Sequence, residues 1–133
     1  MYSFAQGYLK VAYMEIHQIP LLREPVMVIA FSGWNDAAEA ASCAVEHLLS
    51  GWRDKNDDVI PELIANVESE DFYDFQVNRP VVTIDESQIR SITWPSTQVF
   101  GMAIPSMKRD LVIVTGVEPS MKWKSFTSDL LDL

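Results

Sequence analysis

The run PVMVIAF (Pro25 to Phe31), followed at once by SGWND (Ser32 to Asp36), constrains this chain more than any other feature. Seven apolar residues rich in β-branched side chains read as a strand buried on both faces, the pattern of a parallel sheet. Gly33 breaks the run. Asp36 then precedes a helical pattern, and with Glu39 it has the D-x-x-E spacing of a capping box. Over residues 37–52, Ala37, Ala41, Ala44, Val45, Leu48 and Trp52 share a stripe predicted to be buried, with Glu39, Ser42, Glu46 and Ser50 opposite. A second strand is predicted over 63–67, after a polar loop at 53–58. Strand, helix and strand together suggest a right-handed βαβ crossover.

Downstream the pattern turns β-rich. Residues 81–84 and 89–94, around the turn Asp85, Glu86, Ser87, read as a hairpin. Strands are predicted over 97–104 and 110–115, the latter (DLVIVT) central and ended by Gly116. A final helix is expected beyond Pro119, with Trp123, Phe126, Leu130 and Leu131 as its apolar stripe. It carries no glycine or basic stop signal, so the chain is expected to end inside the fold. At the other end Met14 opens the string MEIHQIP, and residues 1–13 read as an extension or a misplaced start.

The expected class is therefore α/β, in one domain. The net charge of −9 repels phosphate backbones and anionic membranes, so neither nucleic acid nor a membrane is expected as a partner. Residues 53–74 concentrate that charge, with eight carboxylates against Arg53 and Lys55, and read as a solvated face. Cys43, the only cysteine, is expected to be a small buried thiol. No apolar run spans a bilayer and the N-terminus is not a signal peptide, which points to the cytoplasm.

In an open α/β sheet, ligands bind beyond the carboxyl ends of the parallel strands. Two loops meet that condition: Gly33, Trp34, Asn35 and Asp36 after the first strand, and Gly116 with Glu118 after the strand at 110–115. They form a candidate binding crevice. A candidate aromatic and acidic rim is Asp71, Phe72, Tyr73, Asp74, Phe75 and Arg79, with Arg79 expected to pair with Asp71 or Asp74. No catalytic residue, metal site or cofactor is predicted, since the phosphate-loop and dinucleotide fingerprints and the G-x-S-x-G elbow are absent and His17 and His47 have no spaced partner.

Four blocks in order, PVMVIAFSGWNDAAEAA (Pro25 to Ala41), EDFYDFQVNRP (Glu70 to Pro80), ITWP (Ile92 to Pro95) and RDLVIVTGVEPSMKWKSF (Arg109 to Phe126), resemble bacterial members of the proteasome assembly chaperone 2 family. The resemblance implies a three-layer α/β/α sandwich like that of phosphorylases and hydrolases, with residues 14–133 as the N-terminal portion of one such domain. It also implies a protein-binding role rather than catalysis, with a protein partner or self-association. The alternative is a small-molecule enzyme or nucleotide binder using the strand-end crevice. Some relatives carry an ATP-grasp label, which no nucleotide loop here supports. Ala38 departs from the glycine that many relatives place there, a change expected to touch only local helix packing.

Overall fold

The computed structural model describes residues 3–5, 8–11, 13–51, 59–67 and 70–133. Nine strands and two α-helices are assigned there: β1 (Ser3–Ala5), β2 (Tyr8–Val11), β3 (Met14–Ile16), β4 (Val26–Ser32), α1 (Ala40–Gly51), β5 (Glu62–Val67), β6 (Val81–Ile84), β7 (Arg90–Thr93), β8 (Thr97–Met102), β9 (Leu111–Val117) and α2 (Trp123–Leu131). A one-turn 3-10 helix, Ala37–Glu39, precedes α1. The predicted loop at 53–58 and the predicted stripe residue Trp52 lie outside the described residues.

Seven strands make one sheet in the order β1-β2-β3-β5-β8-β9-β4, and β6 and β7 form a separate hairpin. Only β4 and β9 are parallel neighbours; every other pair is antiparallel. The strand, helix and strand at β4, α1 and β5 therefore do not make adjacent partners, because β8 and β9 lie between β4 and β5. Periodicity reports which faces a strand buries and says nothing of which strand lies beside it. Residues 3–5 and 8–11, from the segment read as an extension, pair onto β3 as two further strands.

Alternation along β9 divides the core. Val112 and Val114 join Phe72, Phe126 and Leu130 on the face that carries α2, whereas Ile113 joins Ala30, Val45 and Met102 on the face that carries α1. The two helices thus pack on opposite faces. Full burial of a side chain such as Phe126 contributes about 1.5–3 kcal/mol, so α2 holds chiefly through Phe126 and Leu130.

Two expectations on α1 are corrected. Its buried side is Val45 with half-buried Leu48 and Leu49, while Ala37, Ala41 and Ala44 are exposed. The helix packs chiefly on β4 and less on β9, so a narrow strip of its surface finds a partner. Cys43 is exposed for the same reason. Gly116 also lies within β9 rather than ending it. Its φ of +155° is one that L side chains rarely adopt, and a Cβ there would sit 2.3 Å from the Ser96 carbonyl oxygen.

Candidate functional site

Because β4 and β9 run parallel in register from Val26 with Leu111 to Ser32 with Val117, their carboxyl ends open on the same side of the sheet. Beyond those ends lies a cleft of ≈ 720 Å³. Its floor is Ser32, Thr115, Gly116 and Val117, and one wall is the α1 face bearing Glu39, Ser42, Cys43 and Glu46. The other wall is built by Asn78 and Arg79 together with Trp94 and Pro95. A second cleft of ≈ 530 Å³ adjoins it through Ser32, Val77, Asn78 and Val117, and reaches Gly33, Trp34 and Glu118. This is the strand-end position at which open α/β sheets take ligands.

Of the crevice residues read from the sequence, Gly33, Trp34, Gly116 and Glu118 line one cleft or the other. Trp34 is fully exposed. The Glu118 amide donates to the Ser32 carbonyl at 2.9 Å and ties the two loops together. Asn35 and Asp36 line neither cleft. The Asp36 carboxylate instead accepts from the Ala41 amide at 2.7 Å, the Ser42 amide at 3.3 Å and the Ser42 hydroxyl at 2.5 Å. The Ser42 hydroxyl, and then the two amides, hold its pKa below the ordinary carboxylate value against the opposing effect of desolvation. Asp36 is thus a cap for α1, placed one 3-10 turn earlier than the D-x-x-E spacing predicts, and Glu39 faces the cleft instead of closing a box.

Ala38 and Glu39, in that intervening turn, have φ of +53° and +60°. Ala38 therefore occupies a left-handed position that glycine takes without steric cost, so its substitution bears on the backbone rather than on helix packing.

The aromatic rim is divided between core and surface. Phe72 and Tyr73 are buried, and the Tyr73 hydroxyl hydrogen-bonds Thr97; burial pushes the phenol pKa up. The Phe72 ring meets Tyr13 at 5.3 Å and Phe126 at 5.3 Å, both edge to face, while its carbonyl accepts from the Ser120 and Met121 amides. Phe75 is half-buried against Trp94, 5.0 Å between centroids. The expected pairing of Arg79 is not formed. Asp71 pairs with Lys122, raising the Lys122 pKa, and Asp74 accepts from the Gln76 amide in a tight local turn. Lys122 reaches Asp71 because it stands at the start of α2 directly over the Tyr13 ring, 5.0 Å from its centroid. Arg79 is left on the cleft wall.

Sequence reading missed the α1 wall. Its signal is present in the spacing of Glu39, Ser42 and Glu46, a polar face at helical period opposite the predicted stripe, whereas Cys43, expected to be buried, stands exposed beside them on that wall. Among the described residues no cluster of three or more His, Cys, Asp or Glu side chains is placed to hold a metal ion.

A family model described as the PAC2 family matches residues 30–133. The chain belongs to that family. A PAC2 family protein from Streptomyces avermitilis is 50% identical over 82% of this chain, with a TM-score of 0.71. A proteasome-assembly chaperone homologue from Mycobacterium tuberculosis is 39% identical over 80% of the chain, with a TM-score of 0.67. The chain spans 43% and 42% of the lengths of those two structures. A second M. tuberculosis protein, of unknown function, is 22% identical over 95% of this chain and 40% of its own, with a TM-score of 0.68, a likeness of fold. A search of curated proteins gives no match. As a PAC2 family member the chain has a mixed α/β architecture, and no helix among its described residues is long and apolar enough to cross a membrane.

Proposed function

We propose that this PAC2 family chain is a protein-binding module of the assembly-chaperone kind, working in the cytoplasm, with the strand-end clefts and the β6–β7 hairpin beside them as its partner surface. The observation that carries this reading is the hairpin. All eight of its strand residues are exposed, and it pairs with no other strand among the described residues. Its register places Val82 opposite Ile92 and Ile84 opposite Arg90, so that Val82, Ile84 and Ile92 share one face, more than half exposed in each case. Thr83 and Ser91 bond each other on the opposite face. A two-stranded hairpin is at best marginally stable alone, and an apolar face of this kind marks a contact surface. Fully exposed Trp34 extends that surface on the far side of the clefts, and Trp is among the residues most enriched at interface hot spots.

Support for the kind of partner comes from the M. tuberculosis relative, named as a proteasome-assembly chaperone homologue. The reading carries with it the finer fold class, a three-layer phosphorylase- or hydrolase-like sandwich of which residues 14–133 form the N-terminal portion. It is tested by measuring binding of isolated proteasome α subunits to the chain and to Ile84→Lys and Ile92→Lys by interferometry. Binding that falls at least tenfold in either variant, with an unchanged circular dichroism spectrum, is the expected result. Absence of binding by the parent chain would remove the proteasomal partner, and equal binding by parent and variants would remove the hairpin from the interface.

A further inference from the structure

The larger strand-end cleft holds charges of both signs that the described residues leave unpaired. Glu39 and Glu46 stand on its α1 wall and Arg79 on the wall opposite. Among the described residues none of these three side chains has an ion-pair or hydrogen-bond partner, so the opposed charges stand apart. All of the lining comes from residues 32–117, and neither wall is an open end of the sheet. The cleft adjoins its smaller neighbour through Ser32, Val77, Asn78 and Val117, which makes a groove rather than a closed pocket. The surfaces that this chain buries against itself, beneath α1 and α2, are apolar. Permanent cover of the cleft by a fold element would take three charges out of water, a cost that only opposite charges on that element could offset. A charged groove at the carboxyl ends of parallel strands has instead the make-up of a reversible contact, in which charge arrangement selects what fits.

We infer that this cleft takes an extended partner segment bearing one basic and one acidic side chain, an inference that rests on the protein-binding reading above. The basic side chain lies against Glu39 and Glu46, and the acidic one meets Arg79, whose planar fork suits a carboxylate. Ser42, between the two glutamates on that wall, is already engaged by Asp36, so the glutamates are what the α1 wall offers a cation. The half-exposed Trp94 ring, packed on Phe75 beside Arg79, gives the segment an apolar contact. A purely acidic segment is repelled by the two glutamates, and a purely basic one brings a like charge to Arg79. Only a segment of mixed charge pairs both walls, and such like-charge juxtaposition is how an interface rejects wrong partners.

An array of short capped peptides on a Gly and Ser background tests this, each bearing one Lys and one Glu at varied spacing, beside Lys-only and Glu-only sets. The chain should be retained by mixed peptides of one spacing about fivefold more than by either single-charge set, the upper worth of one added exposed ion pair. Arg79→Gln should bind mixed and Lys-only peptides alike, and Glu39→Gln with Glu46→Gln should bind mixed and Glu-only peptides alike. All three positions are exposed, so circular dichroism should be unchanged. That charge-by-charge pattern is one that a loss of folding would not produce. Equal retention of all sets by the parent chain overturns the inference, as does a preference that survives both variants. Competition by free lysine and glutamate as strong as by the mixed peptide would also overturn it, by showing a small-molecule site. If the array fails while α-subunit binding still responds to Ile84→Lys or Ile92→Lys, the occupant of the cleft is wrong and the hairpin reading stands. If the array succeeds while α subunits do not bind, the proteasomal partner is removed and the cleft assignment stands.

Discussion

Arg23 and Asp110, 87 residues apart in sequence, bind each other through side chain and backbone at once. The Arg23 guanidinium donates to both carboxylate oxygens of Asp110, at 2.7 and 3.2 Å, and its own amide donates to one of them at 2.6 Å. The Asp110 amide donates back to the Arg23 carbonyl at 3.0 Å, and the Ile104 amide donates to the Asp110 carboxylate at 2.9 Å. Arg23 also reaches the Ile104 carbonyl at 2.6 Å. The knot fastens the entry of β4 to the entry of β9, and so sets the register that brings their far ends together at the clefts.

Asp110→Ala should therefore be among the most damaging single changes in the chain. It leaves the buried Ile104 amide without its acceptor, which alone costs about 1–3 kcal/mol, and frees Arg23. Chemical denaturation should show a lower midpoint with an unchanged slope. The same pair predicts a pH dependence. The Arg23 guanidinium, followed by the Arg23 and Ile104 amides, holds the Asp110 carboxyl well below the usual carboxylate range despite its desolvation. A carboxyl depressed in the folded state contributes stability that is fully present above its unfolded value of about 3.9 and is lost as pH falls beneath it. Denaturant midpoints followed downward from pH 5 should fall less steeply in Asp110→Asn than in the parent.

Ala38→Gly should raise stability. Relief of a left-handed alanine is worth about 1–2 kcal/mol, and the added freedom of glycine in the unfolded chain returns about 0.4–1 kcal/mol, leaving a net gain of up to about 1.5 kcal/mol. A thermal melt reads it directly; a fall in Tm would show that the positive φ of Ala38 is not strained.

Asp36→Ala should cost about 0.5–2 kcal/mol, the usual loss on removing a helix cap. Since Asp36 lines neither cleft, partner binding by the folded variant should be unaltered. Stability unchanged with binding lost would move Asp36 into the site.

Gly116→Ala should destabilise by roughly 2–5 kcal/mol, because the new methyl meets backbone atoms of Ser96 and Thr97 and the glycine-only φ adds strain. Gly101→Ala is the informative comparison. The nearest atoms to a Cβ there are side-chain atoms, of Pro20 at 3.0 Å and of Ile64 and Leu22 at 3.4 Å, with no backbone among them, so its cost should be smaller. Equal losses from the two variants would show that the Ser96 backbone can yield.

What the amino-acid sequence determined by itself is local. Alternation and apolar runs marked β4, β9 and the hairpin, and apolar period marked both helices, because a strand or helix must present its buried side chains at its own repeat. The two loops of the strand-end crevice were legible for the same reason, each being a glycine-containing break after a strand. Tertiary structure decided what these elements meet. It set β8 and β9 between β4 and β5, and chose Val45 and Leu48 over Ala41 and Ala44 as the packed side of α1. It turned Glu39 and Glu46 into a cleft wall and gave Asp71 to Lys122 rather than to nearby Arg79. Each of those outcomes depends on surfaces brought together across tens of residues, and a side chain's repeat along its own element carries no record of the neighbour on the other side.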